Sequence, residues 1–95
     1  MTIRDEFEVA THAAIDECFK FGYRPTYFID MISKAHPVEV AKKLVISGAE
    51  QAGFKKLVKM GKSDLTVESL MLQSKFSLLF SKQELDAAKW RLDNV

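Results

Sequence analysis

The stretch FSKQEL, residues 80–85, carries the strongest local signal in the chain and marks the start of a helix. The Ser81 hydroxyl can accept a hydrogen bond from the Glu84 amide, and the Glu84 carboxylate can accept one from the Ser81 amide. Phe80 and Leu85 occupy the two positions of a hydrophobic staple. We therefore predict a C-terminal helix from 82 towards 93. Its predicted buried residues are Leu85, Ala88 and Leu92.

Similar signals divide the first half of the chain into three helices. Thr2 is predicted to cap the first helix, and Gly22 to end it in a left-handed conformation. Thr26 is predicted to cap the second, and Pro37 to occupy the first position of the third. Apolar residues recur at steps of three or four along each one. The predicted inner faces are Ile3, Phe7, Ala10, Ala14, Cys18 and Phe21, then Phe28, Met31, Ile32 and Ala35, then Val38, Ala41, Leu44 and Val45.

Two further helices are predicted between residues 47 and 72. Ser47 and Glu50 repeat the capping-box spacing, so a tight corner is expected at 47–48. The fourth helix, with Phe54, Leu57 and Val58 inside, should end at Gly61. Ser63, Asp64 or Thr66 should cap the fifth, which carries Val67, Leu70 and Met71. Residues 38–46 and 65–72 contain β-branched residues but do not alternate with period two, so strands are disfavoured. We predict a single all-α domain over residues 1–95.

Composition narrows the functional classes. The chain has 95 residues, 47% of them hydrophobic and 28% charged, which fits one globular core. No apolar run is long enough to cross a membrane, and the N-terminus carries acids where a secretory signal would be basic. Cys18 is the single cysteine, so an intrachain disulfide and a thiolate metal site are excluded. We expect a cytoplasmic protein that needs no metal or cofactor.

The net charge of +1 hides a division along the chain. Residues 1–33 hold three basic and six acidic side chains, whereas residues 34–62 hold seven lysines against two glutamates. The basic middle therefore lies between two acidic ends. Most of its lysines form the first candidate binding set, in which Lys55, Lys59 and Lys62 are expected on one helix face with no aromatic among them. That set is Lys42, Lys43, Lys55, Lys56, Lys59 and Lys62. These lysines could neutralise phosphates or dock onto an acidic protein, or they could be only a solvated face opposite Phe54, Leu57 and Val58.

The second candidate set consists of Tyr23, Arg24 and Tyr27 around Pro25. Aromatic rings beside a cation can stack on nucleic-acid bases or anchor a partner protein. The same tyrosines could instead cover the edge of the core with their hydroxyls in water. Trp90 lies off the predicted inner face of the last helix, so it is either a core-edge residue or an exposed anchor.

Other candidate sites have simpler structural interpretations. Asp64, Thr66 and Glu68 could bind a divalent ion or do acid–base chemistry, but their spacing is that of a helix cap and first turn. His12 is expected on the surface, and His36 at a turn or cap before Pro37. Neither pairs with a cysteine at zinc or nucleophile spacing. The chain has no phosphate-binding loop or nucleophile motif, so we do not expect an enzyme.

The order of several short motifs resembles a small helical module of bacterial and phage genomes, found alone or behind predicted HNH-type and restriction-like nucleases. The matching segments lie between residues 22 and 92, most of the chain. They are Gly22-Tyr23-x-Pro25-x-x-Phe28-x-x-Met31, Ala41-Lys42-x-Leu44, Gly53-Phe54-x-x-Leu57-x-x-x-Gly61, Asp64-Leu65-Thr66-Val67-Glu68-x-Leu70, and Leu79-Phe80-x-x-x-Glu84-Leu85-x-x-Ala88-x-x-Arg91-Leu92. The chain departs from the module at His36-Pro37 and Ser63, both in predicted turns.

The resemblance implies an association with mobile elements and defence, and it implies no reaction. Together with the charge division, it predicts a protein–protein interaction module that serves or opposes a nuclease-based system. The alternative is an accessory domain that binds nucleic acid through its lysines. A third possibility is a structural fragment with no independent role.

Overall fold

Six α-helices and two 3₁₀ turns make up the computed structural model, which describes residues 1–47 and 51–94. The helices are α1 (Ile3–Lys20), α2 (Thr26–Lys34), α3 (Pro37–Ser47), α4 (Gln51–Lys59), α5 (Val67–Met71) and α6 (Lys82–Asp93). The 3₁₀ turns are Ser63–Leu65 and Ser77–Leu79. No strand occurs among the described residues, so the all-α prediction is confirmed. The corner predicted from Gly48 and Glu50 lies outside them.

The first helix, α1, and the last helix, α6, each begin with a capping box. At α6, the Glu84 amide donates to Ser81 Oγ at 3.2 Å, and the Ser81 amide donates to Glu84 Oε1 at 2.8 Å, as predicted. At α1, the Asp5 amide donates to Thr2 Oγ1 at 3.1 Å, and the Thr2 amide donates back to Asp5 Oδ2 at 3.2 Å. That backbone hydrogen bond is the main reason why the pKa of Asp5 is lowered. The prediction identified the Thr2 cap but not its partner.

Two glycines end helices in the predicted left-handed conformation. Gly22 follows α1 with φ of 85°, and Gly61 follows α4 with φ of 73°. A side chain in that region would be strained, which explains why glycine occupies both positions. Thr66 caps α5 by accepting a hydrogen bond from the Ser69 amide, whereas Asp64 lies in the preceding 3₁₀ turn. The choice left open among Ser63, Asp64 and Thr66 is thereby resolved in favour of Thr66, since Ser63 also lies in the 3₁₀ turn.

Two details predicted for α2 were wrong. Thr26 is already the first helical residue, and Pro25 occupies the cap position without a side-chain hydrogen bond. Ala35 is exposed, because the chain has left the helix there and adopts an extended conformation. His36 caps the start of α3. Its Nδ1 accepts a hydrogen bond from the Val38 amide at 3.1 Å, as expected of a cap residue.

The core is formed mainly by α1, α3, α5 and α6. Phe7 is fully buried at its centre, with the rings of Phe76 and Phe80 packed edge-on against it at 5.2 and 5.4 Å between centroids. Helix α4 lies at the periphery and packs chiefly against the Ser63–Leu65 turn. The Cα radius of gyration is 12.2 Å, close to the ~13 Å of a compact chain of this size.

A buried ion pair joins α5 to α6. Arg91 Nε lies 2.9 Å from Glu68 Oε2, and these side chains are 7% and 2% exposed. Arg91 Nη1 also donates to the Leu44 carbonyl of α3 at 2.7 Å, and the guanidinium lies 5.0 Å from the Phe54 ring centroid. The prediction of Glu68 as a first-turn residue was correct in position but missed its burial. The partner Arg91 was missed altogether.

Candidate functional site

Three cations lie over three aromatic rings at the end of α1 and in the loop after it. Lys56 Nζ lies 5.0 Å from the centroid of the Tyr23 ring, and Lys62 Nζ lies 5.4 Å from that of Phe21. The Arg24 guanidinium lies 5.8 Å from the centroid of Phe19. These distances are within the ~6 Å range of cation–π attraction. The fold thus joins residues of the two candidate sets in one surface.

A surface groove of about 260 Å³ lies at this junction, between the start of α2 and α4. We call it the tyrosine groove. Its described lining residues are Tyr23, Arg24, Pro25, Thr26, Tyr27, Phe28, Gly53 and Lys56. All of the second candidate set lines this groove, together with one lysine of the first set. Tyr27 is 56% exposed, so much of its ring is accessible to a partner.

The remaining lysines of the first set do not share a single helix face. Lys55 and Lys59 are exposed on α4, one turn apart. Lys62 lies beyond the end of α4, because the turn at Gly61 redirects the chain towards Phe21. Lys42 and Lys43 lie on α3, outside the described lining of the groove.

The expectation that no aromatic accompanies the lysines was also wrong. The aromatic residues in question come from the end of α1 and the loop after it. Tyr23 lies beneath Lys56 and Phe21 lies beneath Lys62. A sequence window around the lysines contains neither ring, since tertiary packing brings these segments together.

All seven candidate cations lack a carboxylate partner within the described part of the chain. The ion pairs found there use other cations. Those cations are Arg4, Lys20, Lys34, Lys75, Lys82 and Arg91. Five of the seven therefore lie on or beside α4 and the loop after α1 without an ion-pair partner among the described acids. They are Arg24, Lys55, Lys56, Lys59 and Lys62. An anionic partner would be attracted to such a surface.

The groove adjoins a second, smaller pocket of about 60 Å³. Tyr23, Pro25 and Phe28 line both spaces, and the wall of the smaller one is mainly apolar. The groove volume is below the ~300–1,000 Å³ of pockets for drug-sized ligands. This arrangement suits a side chain of a partner, with apolar contact inside and positive charge at the rim.

The other candidates do not form a comparable site. Glu68 is buried against Arg91, whereas Asp64 is exposed, so the two carboxylates do not share an environment. One ligand atom from each of Asp5, Glu8 and His36 lies within 4.8 Å of the others. Because His36 Nδ1 accepts the Val38 amide, a neutral ring carries its proton on Nε2 and offers no free metal ligand. We therefore interpret this cluster as polar side chains that lie close together where α1 meets the start of α3.

Two other aromatic or titratable residues are placed clearly. Trp90 lies on α6 with 65% of its surface exposed, so it is an exposed residue and not one at the edge of the core. His12 is exposed on α1, as predicted. Neither residue lines the tyrosine groove within the described part of the chain.

Comparisons with family models, curated proteins and solved structures found no match for this chain. The resemblance to the bacterial and phage module therefore stays a prediction. Among the described residues, no helix is both long enough and apolar enough to span a membrane.

Proposed function

We propose that this protein is a non-enzymatic protein–protein interaction module that binds an acidic partner through α4 and the tyrosine groove. The observation that supports this most is the concentration of unneutralised cations beside exposed aromatic surface. Following the resemblance, we place the module in the cytoplasm, in a prokaryotic mobile-element, phage or nuclease-based defence system.

The charge distribution supports association with an acidic surface. Lys55, Lys56 and Lys59 project from a peripheral helix, and Arg24 and Lys62 flank it across the aromatic rings. Charges at the rim of an interface mainly accelerate association and select partners of opposite sign. Aromatic residues beside them supply the desolvated contacts in which binding energy is usually concentrated.

The composition of the surface favours a protein over a nucleic acid. Six of the seven candidate cations are lysines, and bidentate recognition of phosphates or bases usually uses arginine. The rings of Phe19, Phe21 and Tyr23 each have a cation of this chain against them. The ring face that carries the cation is not available for base stacking, whereas the opposite face can still make contacts.

Nucleic-acid binding is the second candidate function, and one observation favours it. Proteins that bind single strands combine a basic groove with aromatic residues. Lys56 with Tyr23, and Lys62 with Phe21, bring those two residue types together in space. The exposed ring of Tyr27 could also accept a base.

Affinity capture with three proteins tests the leading proposal. The parent protein, a Lys55→Gln/Lys59→Gln/Lys62→Gln variant and a Lys20→Gln/Lys34→Gln/Lys82→Gln control would be exposed to nuclease-treated lysate of the native host. The control removes the same charge from lysines that pair with acids in the structure. We expect the parent and the control to capture the same acidic proteins, and we expect the first variant to capture much less of them. Identical captured proteins on all three would contradict the proposal.

A separate titration tests the second candidate. Labelled single-stranded and duplex DNA would be added to the parent protein at low salt, and the anisotropy of the label recorded. The leading proposal predicts background binding. Binding that falls steeply between about 50 and 200 mM salt would instead support the nucleic-acid function. The Lys55/Lys59/Lys62 variant would then flatten the salt slope by about three units at most.

A further inference from the structure

We infer that the tyrosine groove binds a short acidic peptide segment of the partner by enclosing one large apolar side chain while Arg24 and Lys56 contact flanking carboxylates. This inference rests on the proposed function and adds the chemistry of the segment that is recognised. The argument has three parts, which concern the apolar wall, the charged rim and the size of the space.

The wall of the groove is suited to an apolar side chain. Tyr23, Pro25 and Phe28 line both the groove and the neighbouring pocket, whose other lining includes Ile15 and Leu57. A ring or branched aliphatic side chain placed against them would contact apolar surface on the inner side. The exposed Tyr27 ring forms part of the outer side. Removing these surfaces from water would supply the favourable free energy of contact.

The rim of the groove is positively charged. Arg24 and Lys56 are both exposed, and the described lining contains no carboxylate. Neither cation forms an ion pair within the described part of the chain. Each is instead held against an aromatic ring, Phe19 for Arg24 and Tyr23 for Lys56, which limits its freedom before binding. Two cations that line the same space as apolar side chains match carboxylates that neighbour an apolar residue.

The size of the groove limits how much of the partner it encloses. About 260 Å³ is less than a drug-sized ligand requires, so a folded element does not enter. The space suits one side chain from an extended segment. Lys55 and Lys59 continue the positive charge along α4 beyond the groove, where further acidic residues of the same segment would lie.

Three short fluorescent peptides test this inference. The first has a central phenylalanine between aspartate and glutamate residues. The second replaces the phenylalanine by alanine, and the third replaces the acids by asparagine and glutamine. We expect the first peptide to bind at least ten times more tightly than either of the others, because it alone offers both groups. It should also shift the backbone amide NMR signals of residues 23, 24, 26–28 and 56 in isotope-labelled protein.

Matched variants locate the binding site. Tyr27→Ala removes an exposed ring from the groove, and Trp90→Ala removes an equally exposed ring elsewhere. Lys56→Gln removes a rim charge, and Lys89→Gln removes an exposed lysine on α6. Both groove variants should weaken binding of the first peptide about tenfold, while both controls should bind as the parent does. All four positions are exposed, so the folded structure should survive each change, which circular dichroism would check.

Several results would overturn the inference. These are equal binding of the three peptides, equal loss in groove and control variants, and shifts confined to amides outside the groove. Stronger binding of an oligothymidylate to the same amides would assign the groove to nucleic acid instead. If the peptides fail while capture still depends on Lys55, Lys59 and Lys62, the groove assignment is wrong, and the binding of an acidic partner through the lysines of α4 and Lys62 stands. If capture is also independent of those lysines, both are wrong.

Discussion

Arg91 Nε lies 2.9 Å from Glu68 Oε2 in the interior of the domain, and Arg91 Nη1 donates a hydrogen bond to the Leu44 carbonyl at 2.7 Å. One side chain therefore connects α6 with α5 and α3. The N–H of Nε is not aligned with an acceptor, so its contact with Glu68 is an ion pair rather than a directed hydrogen bond. Removing Glu68 would leave the buried Arg91 guanidinium without its carboxylate.

Breaking this pair is expected to destabilise the protein more than any surface change. Glu68→Ala or Arg91→Ala should each lower the free energy of unfolding by about 3–5 kcal/mol. The double change Glu68→Leu/Arg91→Met should cost much less, because no unpaired charge remains. Urea unfolding of the three variants would measure this. A single variant within about 1 kcal/mol of the parent would contradict a buried, structurally important pair.

The capping box of α6 predicts a smaller loss of stability. Ser81→Ala should lower the free energy of unfolding by about 1 kcal/mol, since the Glu84 amide loses its acceptor. Glu84→Ala should cost less, because it removes only the return bond to the Ser81 amide. Ser74→Ala, at an exposed position outside any helix, is the control. If Ser81→Ala and Ser74→Ala unfold at the same urea concentration, the cap contributes nothing.

The capping box of α1 predicts a pH dependence. The hydrogen bond from the Thr2 amide lowers the pKa of Asp5 in the folded state below its ordinary value. Stability from this bond is therefore present above the unfolded pKa of about 3.9, and is lost as pH falls through the folded pKa. Asp5→Asn should make the acid limb of the stability curve less steep. Asp16→Asn, at an exposed position later in α1, is the control. Equal acid limbs in Asp5→Asn and the parent would exclude this linkage.

Cys18 should be unreactive in the folded protein. Its side chain is 2% exposed, and burial raises the pKa of its thiol. A thiol reagent at neutral pH should therefore label the native protein far more slowly than the urea-unfolded protein. Because the folded state holds the thiol proton more tightly than the unfolded state, the free energy of unfolding also depends on pH. This contribution to stability is fully present below the unfolded pKa of about 8.5, and it is lost as pH rises through the folded pKa. Native labelling as fast as in urea would show that the thiol is accessible.

The parts of the fold that were predicted correctly depend on local signals. The Ser81 cap, the Gly22 and Gly61 ends and the Pro37 start each involve residues a few positions apart. Hydrogen bonds and steric limits over that range act in the same way wherever the segment lies. Thr26 was misplaced by one position, since both Pro25 and Thr26 suit the start of a helix and sequence does not rank them.

The parts that were missed depend on which segments meet in space. Arg91 falls three residues after Ala88, on the inner side of α6, but a charged residue at such a position is ordinarily assigned to the surface. The helical spacing places Arg91 on the same side of α6 as Ala88, and it places Glu68 next to the buried Val67 and Met71 of α5. These two positions were the sequence signal that could have suggested a buried ion pair. No comparable signal relates Lys56 to Tyr23, because their contact depends on how α4 packs near the end of α1.

The association rate of the captured acidic partner tests the central claim most directly. It would be measured at increasing salt for the parent, the Lys55/Lys59/Lys62→Gln variant and the Lys20/Lys34/Lys82→Gln control. We expect the parent and control to associate rapidly with a steep decrease as salt screens the charges, whereas the first variant associates more slowly with a flatter dependence. Dissociation should change little. A Lys55/Lys59/Lys62 variant that keeps the parent's association rate and salt dependence would contradict binding through this basic surface.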